Sequence, residues 1–329
     1  MFESLFKGIN MEDIIGYIIM LITLVILIYF MINFTLMKKK ECKQMNSLYP
    51  TLNNHLRPIH NLDPLCRNKL CQYYIKTAFN ACSGGKYKND NVDICNLIAI
   101  IKQGVRCLDF EIYSKDDKPV VATSTSNNFH VKETYDSVPF STVMSTINNY
   151  AFASGTCPNY TDPVIIHLRI KSANQNIYSN MASIFQSYSN RMLGTGYNFD
   201  SSSNALANAP ILSLRNKIII IVDKSNDDFM DNPKFLEFVN MASNSINMRA
   251  YEYKTIKDGD NTELASYNNT HLTIVIPDKG ANPENPDAQI CRNNGVQMVG
   301  MIFQQSDERL KESNLFFDKA GYAFAYKQA

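Results

Sequence analysis

From Leu108 to Ile112 the chain alternates apolar and acidic positions, within the stretch 105–121, VRCLDFEIYSKDDKPVV. This pattern predicts a buried strand, a polar turn and a second short strand. A two-residue period puts Cys107, Asp109, Glu111 and Tyr113 on one face and Leu108, Phe110 and Ile112 on the other. Two carboxylates on the inner face of a strand with an apolar back need a metal, a cation or water beside them. Left unpaired, each buried charge costs on the order of several kcal/mol.

Downstream of residue 65 such patterns recur. Strands are expected at 72–78, 164–171, 217–222 (KIIIIV), 248–253, 272–276, 296–303 and 322–326. Helical periodicity is expected over 92–103, 139–152, 176–193, 233–244 and 307–317, with Gly104 closing the first of these as a C′ residue. Alternating strands and helices over residues 65–329 predict one α/β domain, a TIM-type (β/α)8 barrel. Two stacked domains would need a linker, and the Gly/Ser/Asn-rich segment 194–208 is the candidate for one.

The N-terminal pattern is different. After a short tail, 1–13, residues 14–37 are almost uninterruptedly apolar, with Asn33 the only strongly polar member. A spanning helix needs about 20 such residues. A cleaved signal peptide fits less well, because the tail carries Glu3, Glu12 and Asp13 against the single Lys7. A single-pass anchor is therefore expected. Lys38, Lys39 and Lys40 follow directly and place the soluble domain on the cytosolic side. The sequons at Asn159 and Asn268 point the other way. Residues 38–64 show neither helical nor strand period and are expected to form a polar tether.

Composition adds limits. A net charge of +1 gives no reason to expect a nucleic-acid partner. Eight cysteines without a CxxC pair argue against zinc; their even number permits disulfides without requiring them. The abundance of Asn, Ile, Lys and Ser suggests an AT-rich genome, that of a large DNA virus or a protist. In a virus the chain would belong to a virion membrane.

The ordered set YYIKTAFNA, KQGVRCLDFEIY, KPVV, PVIIHL, LRNKIIIIVDK, NNGVQMVGMIFQ and KAGYAFAYK resembles the catalytic barrel of the phosphoinositide-specific phospholipases C, the last two pieces looking like its final strands. The resemblance covers most of 72–327. It implies cleavage of a phosphodiester by two histidines, usually with calcium held by an Asn and acidic residues. Residue by residue, it places the first histidine at Phe79, keeps the metal-ligand Asn80, and keeps the strand carboxylates at Asp109 and Glu111 with the acid types exchanged. The second histidine falls at Thr125, within Ala122-Thr123-Ser124-Thr125. A further acidic ligand falls at Arg169, and headgroup-binding positions at Ile274 and Ile276. No His-Arg-Gly signature of the glycerophosphodiester phosphodiesterases is present.

Ile165, His167, Arg169 and Lys171 share one strand face, so Arg169 is placed to pair with Asp109 and Glu111 in place of an ion. Phe and Thr transfer no protons near neutral pH, and each general acid or base is worth about 10²- to 10⁴-fold. Of the remaining histidines, His130 and His167 are weak substitutes. Lys171, Lys217 and Lys224 are candidates for phosphate binding, with solvated loop charge as the alternative. Two functions follow. The first is a membrane-anchored, catalytically inactive barrel without a cofactor, a binding or structural protein whose partners are phospholipid headgroups or membrane-associated proteins. The second is an active phosphoric diester hydrolase with rearranged groups and Ca2+, acting on a phosphoinositide or related phospholipid.

Overall fold

The computed structural model describes residues 10–126, 129, 131–199, 205–280 and 282–327. Eight parallel strands form the wall of a TIM-barrel-like domain. They are β1 (Tyr73–Ala78), β2 (Cys107–Lys115), β5 (Val164–Ile170), β6 (Ile218–Asp223), β7 (Met241–Ser243), β8 (Met248–Glu252), β9 (Leu272–Ile276) and β10 (Met298–Met301). Their hydrogen-bonded order is β7-β6-β5-β2-β1-β10-β9-β8, and no ladder joins β7 to β8. Outside this path, β3 (Lys118–Ala122) folds back antiparallel on β2, and β4 (Val138–Pro139) pairs with β3.

Strand alternation sorts the core into two layers. Inward positions such as Ile75, Cys107, Ile165, Ile219, Ile274 and Met298 fill the floor of the barrel. The opposite faces, including Leu108, Phe110 and Ile112, pack against the surrounding helices. Each of these three side chains is fully buried, which stabilises the fold by about 1.5–3 kcal/mol apiece. The helices are α2 (Ile94–Lys102), α3 (Phe140–Ala151), α4 (Gln175–Gln186), the short α5 (Pro233–Leu236), α6 (Tyr253–Asp258), α7 (Thr262–Tyr267) and α8 (Ala288–Asn293), and α9 (Glu308–Ala320). Gly104, at φ 72°, ends α2 in the left-handed region as expected.

Two element expectations need correction. The helix expected over 233–244 stops at Leu236, and Met241–Ser243 is instead strand β7, parallel to β6. The last strand, β11 (Phe324–Tyr326), is not part of the ring: it lies antiparallel to β1, so β10 closes the wall.

The N-terminal segment also differs. Helix α1 runs from Met11 to Leu48 without a break, about 57 Å at 1.5 Å per residue. It is one helix long and apolar enough to cross a membrane, and none of its apolar window is buried against the barrel. Residues 38–64 are not a loose tether. Lys38 pairs with Asp136 at 2.7 Å and Asp93 at 3.0 Å, Met45 is fully buried, and the Tyr49 hydroxyl donates to the Phe303 carbonyl at 2.7 Å. Farther on, Leu56 and Ile59 are buried, and Ile59 N donates to Asp162. The segment looks aperiodic because its helical part buries only Glu41 and Met45, too few positions, one of them acidic, to write a helical period.

A disulfide joins Cys42 of α1 to Cys95 of α2. Such bonds favour oxidising surroundings, whereas Lys38–Lys40 favour the cytosolic side; the two signals pull in opposite directions. The sequons carry no weight in this contest. Asn159 and Asn268 are fully buried and hydrogen-bonded, so the folded domain has no room for a glycan at either.

Candidate functional site

Parallel register brings the ionisable groups together. Asp109 on β2 lies beside His167 on β5, and Glu111 beside Arg169, all pointing into the C-terminal half of the barrel. This is the end at which TIM-barrel sites form. The Arg169 guanidinium donates to Asp109 through Nε (2.9 Å) and Nη2 (2.7 Å), and to Glu111 Oε1 through Nη1 (2.6 Å). Its Nη2 also donates to Asn80 Oδ1 at 2.9 Å. Planar, forked donors suit such a bidentate pair. All four residues are at most 2% exposed.

The outer contacts complete the cluster. Lys279 donates to Glu111 Oε1 at 2.8 Å, and Tyr113 OH and Ser124 N donate to Oε2 at 2.9 and 3.0 Å. His167 Nδ1 meets Asp109 Oδ1 at 2.7 Å and its Nε2 meets Ser243 Oγ at 2.9 Å. Asn80, at φ 44°, turns its N–H onto Asp109 Oδ2. Its Nδ2 has no partner among the described residues.

Burial is the largest single effect and would raise both carboxyls, but Arg169 and the other donors together outweigh it at each. With His167, Arg169 holds Asp109 well below the usual range, and with Lys279 it holds Glu111 down. Burial pushes the Lys171 amine down, and Arg169 adds to the effect.

The family implies a calcium site here, and the donor set does not fit one. Calcium takes six to eight oxygens at about 2.3–2.6 Å. The oxygens of Asp109, Glu111 and Asn80 that would serve are turned onto a guanidinium that fills the space between them. Among the described residues no group of three His, Cys, Asp or Glu is placed to hold a metal ion.

The other expected residues fall as follows. Phe79 lies with its ring face 4.6 Å from the Arg169 guanidinium and packs against Tyr87 and Ile302. Thr125 spends its N–H and hydroxyl on Glu133 and not on the cluster: its N and Oγ1 donate there at 2.7 and 2.6 Å. Lys88 first and Thr125 next pull that Glu133 carboxyl down to about 2. Lys171 reaches a cleft of about 250 Å3 beside the cluster, shared with His167, Asp223, Ile276 and Lys279. Ile274 sits lower, in the apolar floor.

Lys217 is a correction. It precedes β6, at the opposite end of the barrel, and its amine donates to the Asn190 carbonyl. Lys224 follows β6 at the correct end but is exposed and does not line the cleft. His130 lies outside the described residues.

The sequence reading missed Lys279, Ser243, Tyr113 as a donor, and Asp223. Asp223 had a signal, since it ends the run KIIIIVD. Lys279 had none, because only the fold brings β9 to β2.

The site is thus an ionic cluster at the C-terminal mouth of a parallel ring, with a β2–β3 hairpin beside it. Residues 66–224 match the family model of the phosphatidylinositol-specific phospholipase C X domain. That stretch belongs to the family, and the chain is a phosphatidylinositol-specific phospholipase C-like barrel. Similar solved structures include L. pealei PLC21, with TM-score 0.63 and 19% identity, covering 83% of this chain and 39% of that one. S. officinalis PLC21 gives 0.61 and 17% with the same coverages, 83% and 39%. The apo form of a calcium-dependent phosphoinositol-specific phospholipase C from Pseudomonas sp. gives 0.50 and 9%, covering 79% and 98%. At these identities the likeness shows the fold. The chain spans 39% of the length of the first two. Comparison with curated proteins finds no match.

Proposed function

We propose that the chain is a membrane-anchored, catalytically silent phospholipase C-like barrel that works as a binding or structural protein, facing phospholipid headgroups or membrane-associated proteins. The observation that carries this reading is the Arg169 guanidinium, held by four hydrogen bonds among Asp109, Glu111 and Asn80. A monovalent cation fixed in the wall replaces a removable divalent one, so the carboxylates are neutralised without an ion that could polarise a phosphate. Phe79 and Thr125 stand where the family resemblance puts proton-transferring histidines, and neither side chain exchanges protons near neutral pH. Among the described residues His167 is the imidazole in the cluster, and both its ring nitrogens are already bonded within the wall.

The rival, an active phosphodiesterase with rearranged groups, draws support from the cleft lined by His167, Lys171 and Lys279, whose amines suit a phosphate. Among the described residues it lacks a free imidazole pair facing one phosphate. Full-length protein mixed with phosphatidylinositol micelles, with and without calcium, separates the two. The silent reading expects no inositol phosphate above background in either condition; calcium-dependent release would overturn it.

A further inference from the structure

A second cavity, of about 410 Å3, opens where α1 leaves its apolar span. One face of the helix supplies Met37, Lys40, Glu41 and Gln44; the β1–α2 loop supplies Gly85, Lys86, Tyr87 and Asp90; Gln304 closes the back. Met37 to Gln44 rises about 10 Å along the axis. The polar layer of a bilayer extends about 5–7 Å beyond the hydrocarbon on each side. With residues 14–37 in the bilayer, this cavity therefore lies at headgroup depth, against the anchor.

Its chemistry is two-sided. The Lys40 and Lys86 side chains are exposed and make no ion pair or hydrogen bond among the described residues. Opposite them, the buried Asp90 carboxylate accepts the N–H groups of Lys86 and Asn91 at 2.7 and 3.0 Å. Burial first, and Asp90 beside it, push Glu41 up to about 9. Gln304 is 8% exposed. Its Nε2 donates to the Gly85 carbonyl at 3.1 Å and to the Tyr87 hydroxyl at 3.3 Å, which fixes the amide orientation. Among the described residues its Oε1 accepts nothing. A buried acceptor left unmet costs about 1–3 kcal/mol, so the site calls for a donor.

We propose that this cavity holds the headgroup of a boundary phospholipid with a primary ammonium beside its phosphate, as in phosphatidylethanolamine. The phosphate lies on Lys40 and Lys86, and the ammonium on Gln304 Oε1 and the Asp90 carboxylate. A choline headgroup has no N–H to offer Gln304. The proposal rests on α1 crossing a bilayer and is independent of whether the barrel mouth is catalytic.

The test uses the full chain in nanodiscs of phosphatidylcholine and phosphatidylethanolamine at equal mole fraction. The protein is extracted into mild detergent and its retained lipid quantified by mass spectrometry. Phosphatidylethanolamine should be enriched on the order of ten-fold, equivalent to about 1.4 kcal/mol. Lys40→Ala with Lys86→Ala, both on exposed side chains, should bring retention back to the bulk ratio at unchanged melting temperature, and Asp90→Asn should lower it too. Equal retention of the two lipids, or undiminished enrichment in the double lysine variant, would overturn the proposal. So would stripping of the lipid by millimolar soluble phosphoethanolamine, which would assign the site to a free amino phosphate.

Discussion

Two arginines are buried at opposite ends of the same strand pair, and they are held in different ways. Arg169 at the mouth meets two carboxylates and an amide. Arg106, just before β2 on the outer side of the floor, is fully buried yet meets only neutral groups: the Ala151 carbonyl twice at 3.1 Å, Cys157 Sγ at 2.9 Å, and the backbone and side-chain oxygens of Asn159. The nearby Asp162 does not contact the guanidinium: its oxygens accept from Ile59 N and Asn159 Nδ2, and burial pushes that carboxyl up to about 6, although Arg106 partly offsets the rise. Arg106 thus ties the α3–β5 connection to the floor, as a multidentate donor. Arg169 stands in a nest of charge that some cation has to fill. Burial of an arginine says little about its role; the charge of its shell says more.

The comparison breaks most visibly at Arg169. Arg169→Ala leaves Asp109 and Glu111 buried and unpaired, and should cost about 3–5 kcal/mol in a denaturation experiment. Millimolar calcium should recover part of that loss in the variant and do nothing for the parent chain. Equal response of both to calcium would mean that the cluster is not an ion site refilled by a side chain. pH gives a second readout of the same cluster. In the parent chain Asp109 and Glu111 have folded pKa values below their unfolded ones. Their contribution is therefore present above about pH 4.5 and is lost as pH falls. Without Arg169, burial raises both carboxyls, so acid should stabilise the variant through these groups.

Arg106→Met comes next. It removes the donor from several buried oxygens at once and should cost about 2–4 kcal/mol. Here calcium should give no recovery, since no carboxylate oxygen contacts the guanidinium and the vacated shell offers a divalent ion only carbonyl, amide and thiol groups. A calcium response at this position as large as at Arg169 would erase the distinction.

How far this contrast could be seen in advance depended on how local the cause was. Asp109, Glu111 and Arg169 were legible because strand alternation and parallel register are short-range rules, and they fix which face each side chain takes. Strand polarity should also have separated Lys217 from the site, because only the C-terminal end of a barrel strand reaches the mouth. Lys279 and Ser243 were not legible. The first reaches Glu111 across 168 positions of sequence. The second sits on a three-residue strand hidden behind Pro233, which starts a helix that lasts one turn. The docked part of α1 was missed because burial of Glu41 and Met45 depends on a partner surface that no helical period in residues 38–48 announces.

Lys76 sharpens the comparison from a third direction. It points outward from β1, is 2% exposed, and makes no ion pair among the described residues. Burial lowers its pKa to about 8, and Asp318 only partly offsets this. A folded pKa below the unfolded value means that the protonated amine destabilises the fold at neutral pH, with the penalty fading as pH rises from about 8 towards 10. Lys76→Met should therefore stabilise by about 1–2 kcal/mol at pH 7 and abolish that alkaline gain in melting temperature. A loss of stability would mean that the amine has a water-mediated partner, and that an unpaired buried cation is not what this wall contains.

The smallest effect is expected where the family resemblance would suggest the largest. Phe79→His with Thr125→His restores imidazoles at the two positions the resemblance gives to catalytic histidines. The first change gives up the aromatic face 4.6 Å from Arg169, and the second a hydrogen bond to Glu133, for a combined cost of about 1–2 kcal/mol. Activity on phosphatidylinositol should stay at background with or without calcium. The reason lies with Arg169: a fixed positive charge between Asp109 and Glu111 repels a divalent ion, and the oxygens that would bind the ion are already bonded. Thr125 also spends its N–H and hydroxyl on Glu133 and not on the cluster, so a histidine there starts without a bond to the carboxylates. Adding Arg169→Ala to the pair is the decisive control. If calcium-dependent release appears only in the triple variant, the arginine is the lock; if the double variant suffices, proton transfer alone was missing, and Arg169 is as structural as Arg106.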